Sequence, residues 1–302
     1  MTVIECSNVT KTYGTHQVLN DMNFTIGEGV LTGVIGRNGV GKTTLMKMIA
    51  GFLRESSGTV QVFGEKPFNN LKVSANTIFI DDAMNFPDAM TLQDILHECR
   101  RFYPNWDADL AGRLISYFGF HQVAKHRFLS KGKKSTFNAV IGIAAHCPLT
   151  IFDEPTTGMD AAVRKDFYRA LLKDYLAHPR TILLSSHHME EIEDLLEDIL
   201  LVHDGTIQFH GSITVLQEMF VTLQGKAELL AIHTEGKNIV NQHTLGPYAE
   251  WTVENIFTED EIKRLKADGI TISPVSANDT YIALTAKTKG AIDDVFDRTE
   301  IL

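Results

Sequence analysis

Residues Gly36 to Thr43, with the sequence GRNGVGKT, place glycines, a lysine and a hydroxyl at the spacing of a phosphate-binding P-loop. Glycines let successive backbone N–H groups turn inward and form a nest for an anion. Lys42 supplies a positive charge for terminal phosphates, and the hydroxyl of Thr43 supplies an oxygen ligand for Mg²⁺. The alternative is a glycine-rich turn that matches by accident.

A second chemical group is the acid pair Asp153 and Glu154, which ends the apolar run 149–152. A P-loop enzyme needs an acid at the end of a neighbouring strand to hold Mg²⁺, and Asp153 suits that role. Because side chains alternate along a strand, Glu154 is expected to point elsewhere and to face an attacking water as general base. The alternative is a pair of solvated acids at a strand end.

The elements that must position these residues are readable on either side of the P-loop. Residues 29–35 predict a short buried strand, and residues 43–50 predict a helix closed by Gly51. A helix that begins at a phosphate adds the positive end of its dipole. The sequence therefore predicts an α/β domain with its phosphate site at a strand–loop–helix junction.

Composition limits the class of protein. The 302 residues are 44% hydrophobic and 22% charged, as in soluble globular chains, and allow one large domain plus a smaller one. The longest apolar stretch, 139–145, is too short to cross a bilayer, and the N-terminus has no signal-peptide pattern. Three scattered cysteines favour a reducing cytoplasm, without a disulfide framework or metal cluster. The net charge of −10 argues against a nucleic-acid partner.

The sequence has the pattern of an α/β domain up to about residue 215, and this pattern changes after that point. We predict a nucleotide-binding domain over 1–218 and a small α+β accessory domain over 219–302, which carries no motif with assignable chemistry. The elements predicted in the accessory domain are strands at 225–233, 270–275 and 280–284, a helix at 258–266 with Thr258 as N-cap and Glu261 completing a capping box, and a helix at 290–299.

Further motifs appear together and in a fixed order. LSKGK at 129–133 resembles the LSGGQ signature of ATP-binding-cassette (ABC) ATPases, and TGMD at 157–160 resembles their D-loop. The segment 185–191, which follows the strand 181–184, resembles their switch-histidine segment, and Tyr13 lies where they place an aromatic residue. Singly, Ser130 could be only a helix N-cap and His187 only a core histidine. As an ordered set, the motifs resemble this family over about the first 215 residues.

This resemblance implies a P-loop NTPase fold: an ABC cassette with a RecA-like core, an antiparallel β part and a helical subdomain at about 83–145. Two cassettes sandwich two ATP molecules head to tail. The residues implied at the phosphates of one ATP are Gly36, Arg37, Asn38, Gly39, Val40, Gly41, Lys42, Thr43 and Thr44. Tyr13 stacks on the base, while Ser130 and Gly132 of the opposite subunit cap the γ-phosphate.

The resemblance also implies roles in hydrolysis. Glu154 activates water, His187 contacts the γ-phosphate, and Asp160 lies at the dimer seam. Thr43 and Asp153 are the implied Mg²⁺ ligands, with Asp82 as a further candidate. No single subunit then holds a complete site, so hydrolysis depends on dimer closure, which the tighter binding of ATP to the closed state drives.

Two departures from the family pattern stand out. Where the family has a Gln after the strand 77–80, this chain has acids, aligned with Asp82 at that position or, with a one-residue slip, Asp81. Such an acid meets Mg²⁺ or the attacking water, or is only a solvated loop acid. Lys131 and Lys133 replace the second Gly and the Gln of the signature, which adds positive charge at a helix N-terminus.

The departures and the stretch FYPNWD at 102–107 resemble bacterial ATPase subunits of the YtrB type, which are associated with antibiotic- or peptide-responsive exporters. That resemblance implies a separate transmembrane permease, a second ATPase subunit that is identical or different, and a location at the inner face of the membrane. Phe86, Phe102, Tyr103 and Trp106 either line a groove for the permease or pack the subdomain core. The rival functions are an ABC ATPase acting on ribosomes or nucleic acid, and a P-loop GTPase or small-molecule kinase.

Overall fold

The computed structural model describes residues 1–285, apart from the side chain of Leu245. The chain divides into two compact units, Met1–Ile213 and a second that begins at Thr214. The domain division predicted after residue 218 stays a prediction. Each unit has a hydrophobic core of its own.

The first unit contains two sheets. Its strands are β1 (Thr2–Tyr13), β2 (His16–Gly27), β3 (Leu31–Ile35), β4 (Ser57–Val62), β5 (Thr77–Ile80), β6 (Leu149–Asp153), β7 (Thr181–Ser186), β8 (Asp198–His203) and β9 (Thr206–Ser212). The order β5-β6-β7-β3-β8-β9 forms the larger sheet, and β2-β1-β4 forms an antiparallel sheet. In the larger sheet the strands β5, β6, β7, β3 and β8 run parallel to one another, and β9 is antiparallel to β8. Strands β3, β6 and β7 are buried throughout, as expected for parallel strands covered on both faces.

The helices of the first unit are α1 (Lys42–Ile49), α2 (Leu71–Asn76), α3 (Leu92–Phe102), α4 (Ala108–Tyr117), α5 (Lys131–Ala144) and α6 (Ala161–Ala177). Helix α1 contributes Leu45, Met46, Met48 and Ile49 to a core shared with both sheets, which holds the P-loop between them. The strand–loop–helix unit predicted around the P-loop is confirmed, and Gly51 follows the Ala50 C-cap with φ +81°.

Helices α3, α4 and α5 fill the predicted helical subdomain. Thr91 and Asp94 form a capping box at the start of α3, and Asp107 caps α4. Helix α5 is buried from Ser135 onward, where Gly142 lets Phe152 of β6 approach closely. The buried C-terminal part of α5 packs on the parallel sheet, and this packing fixes the position of the N-terminus of the helix.

The second unit carries an antiparallel sheet of order β11-β12-β10-β13. Its elements are β10 (Phe220–Lys226), α8 (Ala227–His233), β11 (Ile239–Leu245), β12 (Tyr248–Glu254), α9 (Glu259–Ala267), β13 (Thr271–Pro274) and α10 (Ala277–Thr285), and α7 (Ile213–Glu218) spans the division. The predicted helix with its Thr258–Glu261 capping box and the predicted strand at 270–275 are confirmed.

Two predictions in this unit are wrong. The strand predicted at 225–233 ends at Lys226, and AELLAIH continues as α8 because Ala, Glu and Leu favour a helix and only one face is buried, at Leu230. The strand predicted at 280–284 lies inside α10, where Ser276 Oγ accepts from the backbone N–H of Asp279 at 3.0 Å and caps the helix. The helix predicted at 290–299 lies outside the described residues.

The cysteines of the chain are free and buried. Burial raises the pKa of the Cys6, Cys99 and Cys147 thiols to about 12, with acidic neighbours contributing at Cys6 and Cys99. These thiols are therefore inert packing groups near neutral pH.

Candidate active site

A cleft of about 430 Å³ lies at the carboxyl ends of the parallel strands. Its lining residues are Val18, Asn38, Gly39, Gly41, Lys42, Thr43, Thr44, Asp82, Asp153, Glu154, Thr157 and His187. The fold thus brings the P-loop, the acid pair, Asp82 and the predicted switch histidine to one place. Gly36, Arg37 and Val40 belong to the same loop but do not line the cleft.

The P-loop wraps around the buried side chain of Lys42. Lys42 Nζ donates to the carbonyl oxygens of Gly36 at 2.6 Å and Arg37 at 3.2 Å, and these two hydrogen bonds hold the ammonium group at the base of the cleft. Gly39 and Gly41 have φ of +86° and +106°, a region that favours glycine. At Gly41 a Cβ would also lie 2.5 Å from Leu19 Cδ2. These glycines are therefore required by the curvature of the loop.

Asp153 is buried at the end of β6 and is held by hydroxyls. Its Oδ1 accepts from Ser185 Oγ at 2.8 Å, and Thr43 donates a second hydrogen bond. Burial raises the pKa of Asp153, the bonds from Thr43 and Ser185 lower it, and Glu154 and Asp81 add to the rise. A carboxylate with this desolvation, next to the Thr43 hydroxyl, is a donor set that suits a hard divalent cation.

Glu154 directly follows β6 and has φ +48°, in the left-handed region. Its N–H donates to Ser185 Oγ at 2.9 Å, Oε1 lies 3.3 Å from Lys42 Nζ, and Oε2 lies 2.6 Å from His187 Nδ1. We expected strand alternation to point Glu154 away from Asp153, but both line the cleft. The strand pleat ends at Asp153, and the left-handed turn re-aims the next side chain.

The two candidate acids after β5 are separated by the structure. Asp82 lines the cleft, and its Oδ2 lies 3.2 Å from Lys131 Nζ. Asp81 is more buried and pairs with Lys47 of α1 at 3.6 Å. The cleft-facing acid is therefore Asp82, and the two departures from the family pattern, Asp82 and Lys131, form an ion pair with each other.

Four further predicted site residues, all outside the P-loop, lie away from the cleft lining. Ser130 caps α5 through Lys133 N at 3.4 Å, and Asp160 caps α6 through Val163 N at 3.0 Å. Gly132 packs on the D-loop, where a Cβ would lie 2.2 Å from Gly158 O. Tyr13 is about half exposed, with Lys11 Nζ 5.0 Å from its ring centroid.

Sequence reasoning gave no individual site role to Ser185, Thr157 or Val18, although the first two lie in the motifs 185–191 and 157–160. Ser185 binds both acids of the pair, and Thr157 Oγ1 donates to Glu154 O at 2.9 Å. Ser185 had a local signal, since its hydroxyl directly follows the predicted strand 181–184. Val18 had none, because only the approach of the antiparallel sheet brings β2 to the P-loop.

The four aromatic residues of the helical subdomain were expected either to line a groove for the permease or to pack the subdomain core, and they differ in their surroundings. Phe86 packs in the subdomain against the His126 ring at 5.0 Å between centroids, and Tyr103 stacks on Trp106 at 6.5 Å. Phe102 is 76% exposed at the end of α3. Phe102 is therefore the one of the four that presents most of its side chain to solvent.

Comparison with known proteins agrees with this geometry. Residues 19–157 match the family model described as ABC transporter. The chain is 31% identical over 222 residues to the ABC transporter ATP-binding protein YtrB of Bacillus subtilis, covering 74% of this chain and 76% of YtrB. The chain belongs to the ABC transporter ATP-binding family.

Other relatives extend the likeness. The bacitracin transport ATP-binding protein BcrA of Bacillus licheniformis is 27% identical over 303 residues, covering 94% of this chain and 97% of BcrA. A solved ATP-binding subunit of an ABC transporter matches with TM-score 0.64 at 23% identity, over 72% of this chain and 92% of that one. A dimeric ATP-binding cassette bound to ADP and Pi matches with TM-score 0.61 at 20% identity, over 70% of this chain and 98% of that one. The predicted ABC cassette fold is confirmed.

As a family member, the chain is an ATP-hydrolysing, ATP-binding subunit of an ABC transporter of the YtrB-like type. ABC ATPases of this kind work as dimers with transmembrane permease components. Among residues 1–285, no helix combines the length and the apolar character that a bilayer crossing requires.

Proposed function

We propose that this subunit hydrolyses Mg²⁺-bound ATP in a site shared with a second cassette, and so powers a permease that exports a peptide or antibiotic-like compound. The observation that carries the catalytic part is the double contact of Glu154 with Lys42 and His187 inside the cleft. These contacts bring together the proposed base Glu154, the phosphate-binding cation Lys42 and the histidine His187 in one site.

Thr43 and Asp153 are the residues that fit Mg²⁺, since a hydroxyl and a buried carboxylate lie together next to the P-loop. Asp82, at the cleft wall, is the further candidate oxygen ligand. When bound, Mg²⁺ neutralises charge on the phosphates and orients them. Ser185 fixes the Asp153 carboxylate, so the protein side of this site is preorganised.

Glu154 is the proposed general base. Its left-handed backbone aims the carboxylate into the cleft, where it takes a proton from the attacking water. As the water oxygen bonds to the γ-phosphorus, the bond from that phosphorus to the β–γ bridging oxygen breaks, and ADP leaves with the electron pair on that oxygen. His187 orients Glu154 through its Nδ1 and reaches the γ-phosphate. Lys42 stabilises the negative charge on the phosphate oxygens, which is the main electrostatic task in phosphoryl transfer.

The second cassette supplies what this cleft lacks. Ser130, Gly132 and Asp160 lie outside the cleft lining, and Ser130 and Gly132 stand at the start of the α5 helix. We propose that α5 of a second subunit points its N-terminus at the γ-phosphate, with Asp160 at the seam. The likeness to a dimeric cassette bound to ADP and Pi supports this arrangement.

Export is supported by the relatives. BcrA is named for bacitracin transport, and its match runs over nearly the whole of both chains. The net charge of −10 disfavours a nucleic-acid partner. We therefore place the subunit at the inner face of the membrane, bound to a separate permease, with the exposed Phe102 region of the helical subdomain as a contact candidate.

Substitution of Glu154 by Gln tests the catalytic assignment. Because the amide keeps the shape but cannot take a proton, we expect hydrolysis to fall by roughly 10²–10⁴-fold. ATP binding remains, and a dimer accumulates with ATP on size-exclusion chromatography. Glu235→Gln, at an exposed position in the second unit, is the matched control. Hydrolysis at the native rate by Glu154→Gln would remove Glu154 from the role of base.

Purification from native membranes tests the transport assignment. We expect the tagged chain to come out of detergent-solubilised membranes together with a multi-span permease. The complex in vesicles should then couple ATP hydrolysis to efflux of a bacitracin-like peptide. Recovery with ribosomes instead of a membrane protein would contradict the export proposal while leaving the ATPase chemistry intact.

A further inference from the structure

A cluster of metal-ligating side chains lies at the edge of the parallel sheet opposite the nucleotide cleft. His146 stands in the turn before β6, while Asp174 and His178 lie at the end of α6, before β7. The nucleotide cleft lies where these same strands end, so the two groups are separated by the length of the sheet. The proposed ATPase mechanism uses none of these three residues.

The three side chains converge on one point. Asp174 Oδ1 lies 2.8 Å from His146 Nε2 and 3.5 Å from His178 Nδ1, and the three ligand atoms lie within 4.8 Å of one another. Asp174 and His178 are spaced i, i+4, which puts both on one face of the helix end. Ligand atoms about 2.0–2.2 Å from a tetrahedral Zn²⁺ are about 3.3–3.6 Å apart, which lies within the range of distances among these three atoms.

Arg180 fixes the carboxylate from its other side. Its Nη1 donates to Asp174 Oδ2 at 2.8 Å, Nη2 donates to Ile143 O at 3.2 Å, and Nε donates to Thr150 Oγ1 at 3.2 Å. One carboxylate oxygen is thereby used, and Oδ1 is left facing the two histidines. This is the arrangement in which an outer partner orients a ligating carboxylate.

Burial is graded across the cluster. The Asp174 side chain is 4% exposed, that of His146 is 12% exposed, and that of His178 is 55% exposed. Asp174 Oδ1 stays directed at the histidines while Arg180 compensates part of the carboxylate charge through Oδ2, and the exposed His178 gives a cation a path from solvent. His146 also borders a cavity of about 630 Å³ that Arg180 lines, so solvent reaches the cluster from a second side.

We propose that His146, Asp174 and His178 form a Zn²⁺ site with two nitrogen ligands, one oxygen ligand and an open position for water. Imidazole and carboxylate ligands in a four-coordinate site favour Zn²⁺. Because an imidazole nitrogen must be unprotonated to bind the ion, binding weakens as pH falls. The ion would join the turn before β6 to the end of α6.

Calorimetric titration of the full chain tests the site, after the purified protein has been stripped with chelator and dialysed. We expect a Zn²⁺ site of one ion per chain, weakened at least about tenfold in His178→Gln and in His146→Gln. Co²⁺ in place of Zn²⁺ should give the visible absorption bands of a tetrahedral centre, lost in both variants. His178 is half exposed, and circular dichroism checks that its variant folds.

Two control variants locate the ion. His187→Gln removes the histidine of the nucleotide cleft, and His233→Gln removes a histidine whose Nε2 pairs with a single carboxylate, Asp268, at 2.8 Å. Both controls should bind Zn²⁺ as the native chain does. Absence of Zn²⁺ binding, binding unchanged in His178→Gln, or binding lost in His187→Gln would each overturn the proposal. A hydrogen-bonded cluster without a metal would give the first of these results.

Discussion

At the residue scale, Ser185 links the two acids to which we assign roles in hydrolysis. One hydroxyl donates to the Asp153 carboxylate and accepts from the backbone N–H of Glu154, so it fixes the Asp153 side chain relative to the Glu154 backbone. The two acids are neighbours in sequence, yet their geometry is set by a residue on β7. Adjacent residue types therefore predicted the chemistry, and a residue on another strand sets its geometry.

The Asp82 assignment predicts a change in Mg²⁺ dependence. If Asp82 contributes an oxygen near the ion, Asp82→Asn should raise the Mg²⁺ concentration for half-maximal ATPase activity several-fold, since it removes about one charge from the site. Asp88→Asn is the matched control. It removes an exposed acid of the same loop, which pairs with Arg127 at 3.1 Å, and should leave Mg²⁺ dependence unaltered. Activity titrated against Mg²⁺ distinguishes them, and equal curves for Asp82→Asn and the native chain would make Asp82 a solvated acid.

Lys131 has a smaller energetic role. Its pair with Asp82 is largely exposed, so we attribute to it only about 0–1 kcal/mol of stability. The ion pair joins the two positions at which the chain departs from the family pattern. A lysine replaces a signature glycine and an acid replaces a family glutamine, and the fold places one next to the other.

At the element scale, the start of α5 depends on close backbone packing. A Cβ at Gly132 would lie 2.2 Å from Gly158 O, in the D-loop of the same chain. The signature and the D-loop are thus held against each other before any second subunit is involved.

Gly132→Ala should therefore impair ATPase activity more than its small size suggests. We expect about 1–3 kcal/mol of destabilisation from overpacking, and a loss of dimer-dependent hydrolysis with P-loop nucleotide binding kept. Gly112→Ala in α4 is the control, since a Cβ there meets nothing within 4 Å. It should leave activity unchanged and add up to about 1 kcal/mol of stability. Denaturant melts and ATPase assays on both variants check this, and equal effects would contradict the packing argument.

Element prediction worked where the signal was local. The P-loop strand and helix and the Thr258–Glu261 capping box depend on consecutive or near neighbours, and all of them form. The two wrong strands, at 225–233 and 280–284, are short apolar runs whose period is ambiguous. Strand pairing decided the first, because the register of β10 with β12 ends at Lys226 and Tyr248.

At the scale of the whole molecule, a buried histidine makes the stability of the first unit depend on pH. Burial lowers the pKa of His126 below its ordinary 6.5, with Lys134 adding to the decrease and the hydrogen bond to Asn138 opposing it. The unfolded chain therefore takes up a proton near pH 6.5 while the folded chain does not. The contribution is favourable above pH 6.5 and declines as pH falls toward the folded pKa.

We expect the free energy of unfolding to decrease between pH 7.5 and 5.5, with a contribution from His126 of at most about 1.4 kcal/mol per pH unit. His126→Gln should flatten this part of the slope, whatever its own cost in stability. His121→Gln, at a nearby exposed position, is the control for the substitution itself. Urea melts across the range measure the slope, and identical slopes for the native chain and His126→Gln would contradict the assignment.

The sequence by itself determined the chemistry and the family. Eight consecutive residues build a phosphate nest, because a P-loop needs only local backbone turns and one lysine, and the ordered motifs 129–133, 157–160 and 185–191 identified the cassette. Only the tertiary structure decided which acid after β5 faces the cleft, that Ser185 joins the acid pair, and that His146 meets Asp174 across 28 positions of sequence. Those contacts depend on how distant strands and helices pack, which motif spacing does not encode.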